Sequence, residues 1–281
     1  MSRQRRARPG DVAARSAAQA MMLVIALATL YPLYFVVITA FKSQREYLTN
    51  RMWPPRHPTL ENFHAAFRDG AIIKWATNSM ILTVGSVAIS TLIAALAAYP
   101  LARSSFFGRR TFFGVNVVLM VVPPVVLVIP LYLLSITLGM INSRLFVTIV
   151  YVGLLVPFSI FVLVNFFATI PRSLEDAAAI DGAGALRTLR HVFVPLSAPA
   201  IVTVVVVNAV WVWNELLIAL VFLQDNNART LTAGLTFFQG RFTANDPLVM
   251  TGALLASIPL LVLFLIGQRF FVRGLSAGFG K

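Results

Sequence analysis

Six stretches of the chain are almost free of charge and long enough to matter: Ala17–Ala40, Trp75–Ala98, Phe112–Leu134, Leu145–Thr169, Ala200–Leu223 and Val249–Gln268. At a rise of about 1.5 Å per residue, about 20 apolar residues cross a ~30 Å hydrocarbon core as a helix. The pattern therefore predicts an all-α integral membrane protein with six transmembrane helices. The first stretch follows a run of arginines, as a signal peptide would. Its 24 residues exceed a signal peptide's apolar region, and a retained helix is expected. Pro32, Pro123, Pro124, Pro130, Pro157 and Pro259 fall in the spans. Each predicts a bend, serving either packing or the lining of a cavity.

One long interruption stands out: SLEDAAAIDGAGALRTLRHVFVPLSAP, Ser173 to Pro199. Pro171 stops the fourth span. Ser173 and Asp176 have the spacing of a capping box. A short helix is predicted over Leu174–Ile180 and a glycine turn at Asp181-Gly182. A second short helix follows over Ala185–Phe193, closed by Pro195 and Pro199. Structureless loops beyond ~12–15 residues are uncommon and usually functional. An ordinary loop and a docking element both remain open on these grounds.

Composition agrees with the pattern. The 281 residues are 58% hydrophobic and 12% charged, against about 45–50% and about 25% in soluble domains. Cysteine is absent, which excludes disulfides and thiolate chemistry. A net charge of +13 would suggest nucleic acid in a soluble protein. Here the loop arginines report topology instead, and no nucleic-acid partner is expected. Lys and Arg number 14 on the side holding both ends and 171–199, against 9 on the other. That asymmetry predicts cytoplasmic termini and a cytoplasmic 171–199 loop. The resulting organisation is an N-terminal tail (1–16), a membrane domain (17–271) carrying the 171–199 loop, and a C-terminal tail (272–281).

Enzymatic chemistry finds no support. GLSAGFGK, 274–281, suggests a phosphate loop, but the pattern needs glycine where Leu275 stands. His57, His64 and His191 are scattered among loops, and no paired carboxylates occur within the spans. No metal or cofactor is expected in this chain.

Glu215 is the one acidic residue inside a span, and intramembrane ionisable groups are functional candidates by default. On a continuous helix, Asn208, Trp211, Asn214 and Glu215 fall within about 120° of one another, and Trp213 points away. Amide, carboxylate and indole on one face suit a sugar. They equally suit a hydrogen-bonded cluster that holds helices together. Ser79, Thr83, Ser86 and Ser90 share a face of the second span and are read as close helix packing.

The 171–199 stretch resembles the cytoplasmic loop signature of ABC-importer permeases: Glu-Ala-Ala, three residues, Gly, nine residues, Ile-x-Leu-Pro. Here it reads Asp176-Ala177-Ala178, Gly182 and Val192-x-Val194-Pro195, with Glu175 just before the substituted acid. PTLENFHAAF (58–67), NSMILT (78–83), AYPLARSSFFGRR (98–110), VPPVVLVIPLYLL (122–134), WNELLIALVFL (213–223) and FFVRGLSAGFGK (270–281) resemble the carbohydrate-uptake, maltose-type permeases. The resemblance implies the type I ABC importer permease fold in a bacterial cytoplasmic membrane. It implies a second, different permease subunit, two ATPase subunits that hold the ATP and Mg, and an extracytoplasmic solute-binding protein delivering a sugar. It further implies that Glu175, Asp176, Ala177, Ala178, Asp181, Gly182 and Ala183 couple to the ATPase. The alternatives kept are an importer of the same architecture for a polyol, glycerol phosphate or peptide, and an ion-coupled secondary transporter.

Overall fold

A computed structural model describes residues 9–68, 70–241 and 245–278. All regular secondary structure among them is helical: α1 (Pro9–Ala40), α2 (Gln44–Thr49), α3 (Glu61–Arg68), α4 (Ala71–Arg103), α5 (Arg109–Leu119), α6 (Pro124–Thr137), α7 (Arg144–Thr169), α8 (Arg172–Ile180), α9 (Ala185–Thr188), a π-helical turn (Leu189–Phe193), α10 (Val194–Leu196), α11 (Ala198–Asn214), α12 (Leu217–Phe222), α13 (Leu231–Arg241) and α14 (Asp246–Gly278). The arginines of 1–8 and Lys281 lie outside the described residues.

Among the described residues, four helices are long and apolar enough to cross a membrane: Ala17–Ala40, Ala71–Arg103, Arg144–Thr169 and Asp246–Ile266. Two bent pairs also qualify, α5 with α6 (94°) and Ala185–Leu196 with α11 (79°), which gives up to six spans. The expected third span, Phe112–Leu134, is thus corrected from one bent helix to two separate legs. Pro123 and Pro124 are the reason: neither donates an N–H, and the residue before a proline is driven out of the helical region. Pro124 opens α6, where its missing donor costs nothing. The expected fifth span, Ala200–Leu223, is also broken. α11 ends at Asn214, Glu215 is extended (φ −66°, ψ 123°), and α12 starts at Leu217.

The chain divides into two compact units, Met1–Asp69 with Phe238–Leu255 and Gly70–Phe237 with Ala256–Lys281. In the first, Asn62 Nδ2 donates to Ala40 O (2.9 Å) and Lys42 O (2.7 Å), and Thr251 Oγ1 donates to Ala40 O (3.2 Å). The fully buried Lys42 satisfies its ammonium on Asn50 O and Arg51 O.

In the second unit α4 lies against α7, with α11 packed on both. The buried face of α4 includes a run of small residues, Ser79, Ser86, Ser90, Ala94 and Ala98, beside larger ones such as Leu82 and Leu101. Small side chains let backbones approach closely, which is what helices in lipid need in place of a hydrophobic drive. Two apolar cores form along this seam. One gathers Leu82, Phe146, Tyr151 and Phe222, the other Leu101, Leu163, Phe167 and Phe193. At Gly234 a Cβ would overlap the Trp75 indole, so only glycine permits that approach.

Candidate functional site

Two polar sites emerge from the second unit, one on the 171–199 stretch and one at the α11–α12 break. Ile170 precedes Pro171, is extended (φ −70°, ψ 129°), and ends α7. α8 begins at Arg172 without a side-chain cap. The expected capping box at Ser173 and Asp176 is therefore corrected: Ser173 sits inside the first turn, and Pro171 takes the cap position. The turn at Gly182 is as expected. Gly182 has φ +72°, its N–H donates to Ala179 O (3.0 Å), and Ala183 N–H donates to Ala178 O (2.9 Å). This is the paired pattern by which a left-handed glycine closes a helix. The second short helix, expected to be α throughout Ala185–Phe193, changes after Thr188 to a π turn. π turns are frequent at functional sites.

α8 buries none of its residues. Asp176, Ala177, Asp181 and Gly182 are exposed, and Ala178 and Ala183 are half-buried. Ile180 is 87% and Leu186 68% exposed, so the greasy face of this turn has no cover within the described chain. Glu175 faces the other way. Its Oε2 accepts from Arg103 Nε at 2.8 Å, and its Oε1 accepts from Tyr99 OH at 2.9 Å. Arg103 is nearly buried (5% exposed, against 29% for Glu175) and lies over the Phe193 ring at 5.1 Å. Phe193 meets Tyr99 (4.9 Å) and Phe167 (5.4 Å) edge-on. Four elements thus converge on one charge pair. Of these residues, only Glu175 was legible as a site residue. Tyr99 and Arg103 share a face of α4 by their four-residue spacing, but nothing in the sequence pairs them with a residue 72 positions on.

At the break, the expected shared helical face dissolves. Glu215 is not on α11. Its carboxylate accepts from Ile218 N (2.8 Å), Ala219 N (3.1 Å) and Tyr151 OH (2.7 Å), capping α12. Asn214 Nδ2 donates to Val210 O one turn back (2.8 Å). Asn208 is buried and donates to Ser159 Oγ (2.9 Å). Trp211 stands edge-on to Tyr151 at 5.8 Å. Trp213 is indeed apart, donating to Ala256 O (3.0 Å). A cavity of about 830 Å³ opens among α5, α6, α7 and α11. Asn208 and Trp211 line it; Asn214 and Glu215 do not. Asn208 is its one amide among aliphatic and aromatic walls.

A third cluster escaped the sequence entirely. At the opposite end of α4, Asn78 Nδ2 donates to Asn227 O and Arg229 O (both 2.9 Å). Asn78 Oδ1 accepts from Arg144 Nη1 (2.7 Å), Trp75 Nε1 donates to Asn226 O (3.0 Å), and Lys74 bonds Asn227. α4 is therefore pinned by polar groups at both ends. No group of metal-ligating side chains occurs among the described residues.

The family described as the binding-protein-dependent transport system inner membrane component matches residues 90–277, and the chain belongs to that family. It is 32% identical over 256 residues to the melibiose/raffinose/stachyose import permease protein MelC of Bacillus subtilis, covering 91% of this chain and 92% of that one. It is 34% identical over 257 residues to the diacetylchitobiose uptake system permease protein DasC of Streptomyces coelicolor, covering 91% and 93%. Its fold matches a bacterial ABC transporter involved in the import of the acidic polysaccharide alginate, with a TM-score of 0.84 at 22% identity over 95% of this chain and 99% of that one. The chain is a multi-pass membrane protein and a transport component.

Proposed function

We propose that the chain is the membrane-spanning permease subunit of an ATP-driven, binding-protein-dependent importer of short oligosaccharides. The named substrates of its relatives support the sugar class. The observation that carries the mechanism is α8, a helix without one buried residue, ending in a left-handed glycine and presenting Asp176 and Ile180 outward, with Leu186 exposed on α9 beyond the turn. Such a surface fits the cleft of a separate ATPase. Asp176, Ala177, Ala178, Asp181, Gly182 and Ala183 form the docking surface, and Glu175 sits behind it. ATP and Mg belong to the partner. A second permease subunit completes the pore. The cavity beside Asn208 and Trp211 is this subunit's share of the sugar path. Asn214 and Glu215 act on that path indirectly, through the helix break.

Two experiments test this reading. Gly182→Val meets no neighbouring atom within 4 Å, so its cost is the left-handed backbone, about 1–2 kcal/mol. The spans should fold while ATPase co-purification and oligosaccharide uptake fall. Asp176→Lys should act likewise. Wild-type values for both variants at matched expression would reduce α8 to a loop.

Orientation is tested in the cysteine-free background. Cysteine at Asn227 should react with an impermeant thiol reagent in intact cells, and cysteine at Ser173 should not. The reverse result would invert the topology.

A further inference from the structure

We infer that Arg103 and Tyr99 are positioning residues for coupling: by gripping Glu175 they fix the angle at which the α8 surface meets its ATPase and attach that surface to α4. The inference rests on the coupling reading above and adds to it a division of labour between adjacent acids. On α8, Asp176 is exposed and its side chain makes no hydrogen bond among the described residues. Glu175, one position earlier and about 100° around the helix, is spent internally on Arg103 and Tyr99.

The geometry makes the grip stiff. The Arg103 side chain is 5% exposed, and its Nη2 is buried with no hydrogen-bond partner among the described residues. Glu175 is the counter-charge in contact with this guanidinium, and losing one partner of such a pair leaves the other charge uncompensated. The Phe193 ring, itself fully buried, covers the guanidinium from below and is wedged against Tyr99 and Phe167. α8 therefore cannot tilt without breaking the ion pair. The π turn that carries Phe193 cannot shift without uncovering Arg103.

The grip also has a destination. α4 runs unbroken from Ala71 to Arg103, and its far end is bonded through Asn78 to Asn227 and Arg229. A push on α8 is delivered to a 33-residue rod whose other end holds the 226–229 loop. A long helix closely packed along α7 moves as a unit more readily than it bends.

The test uses the intact complex in membranes. Arg103→Gln, Glu175→Gln and the charge exchange Arg103→Glu with Glu175→Arg are compared. Each is scored for permease amount, ATPase co-purified per permease, and ATP hydrolysis per ATPase. Each single variant should leave permease amount within about twofold and lower co-purified ATPase or its hydrolysis about tenfold. The charge exchange should restore much of the loss. Tyr99→Phe, which keeps the ion pair, should show a smaller fall in the same readout.

A merely structural role would reduce permease amount while ATPase per permease stayed at the wild-type value, and that result overturns the inference. If Arg103→Gln does not assemble, Glu175→Gln alone decides, since Glu175 is part-exposed. Wild-type coupling in Glu175→Gln overturns the inference. Asp176→Lys and Gly182→Val run in parallel. If they lose the ATPase and the Glu175 variant does not, only the positioning role fails. If they too keep it, the coupling reading itself fails.

Discussion

Glu175 and Glu215 both put a carboxylate beside apolar helices, and each is met by a tyrosine hydroxyl, Tyr99 in one case and Tyr151 in the other. Their remaining partners differ in kind. Glu175 lies 29% exposed at a helix end and takes a cation, Arg103. Glu215 lies within an apolar stretch and takes two backbone N–H groups, of Ile218 and Ala219. Those donors exist only because the chain breaks there: the first turn of a helix has N–H groups with no acceptor behind them. The break supplies what the charge needs, and the charge supplies what the break needs. A carboxylate in lipid surroundings is therefore not by itself a sign of a ligand. At Glu215 it marks a discontinuity in the backbone; at Glu175 it marks a join between two helices.

Three substitutions separate the two arrangements. The largest effect is expected from Glu215→Ala, which strands two N–H groups and the Tyr151 hydroxyl. At about 1–3 kcal/mol for each of the three buried unsatisfied groups, the loss is about 3–9 kcal/mol. Unfolding in graded detergent should register it, with less permease in the membrane. Glu175→Ala should cost less, since Arg103 can recruit water through the part-exposed site. Equal losses for both would mean that water already reaches the break.

The isosteric amide should reverse the order. Glu215→Gln keeps one carbonyl acceptor for α12 and costs about 1 kcal/mol. Glu175→Gln leaves Arg103 without a counter-charge and costs about 2 kcal/mol, discounted from the fully buried case for its exposure. The same unfolding series reads both, and a larger loss at Glu215 would show that charge, not capping geometry, holds the break.

The smallest effects belong to the hydroxyls. Tyr99→Phe and Tyr151→Phe should each cost about 1 kcal/mol, the net worth of one hydrogen bond. A markedly larger loss for Tyr151→Phe would locate the strength of the break in α7 rather than in the α12 amides.

The membrane-crossing character of the chain, the 171–199 interruption and the glycine turn could all be read from the amino-acid order. Each depends on local rules: the length needed to cross a bilayer, proline's missing donor and glycine's access to positive φ. The interruption could even be assigned a role, because Asp176-Ala177-Ala178 and Gly182 carry a recognisable spacing. The breaks were less legible. Pro123 and Pro124 signalled a bend but not one of 94°. The fifth span held no proline between Asn208 and Glu215 to announce that its helix stops at Asn214, and without that stop Glu215 read as one more residue on a polar face. At that stop Glu215 is met by Tyr151 from α7, a contact 64 positions away in sequence. The grip of Arg103 on Glu175 and of Asn78 on the 226–229 loop are of the same kind. A sequence determines which groups must find partners in a membrane. Which partners they find is decided where helices far apart in the chain lie side by side.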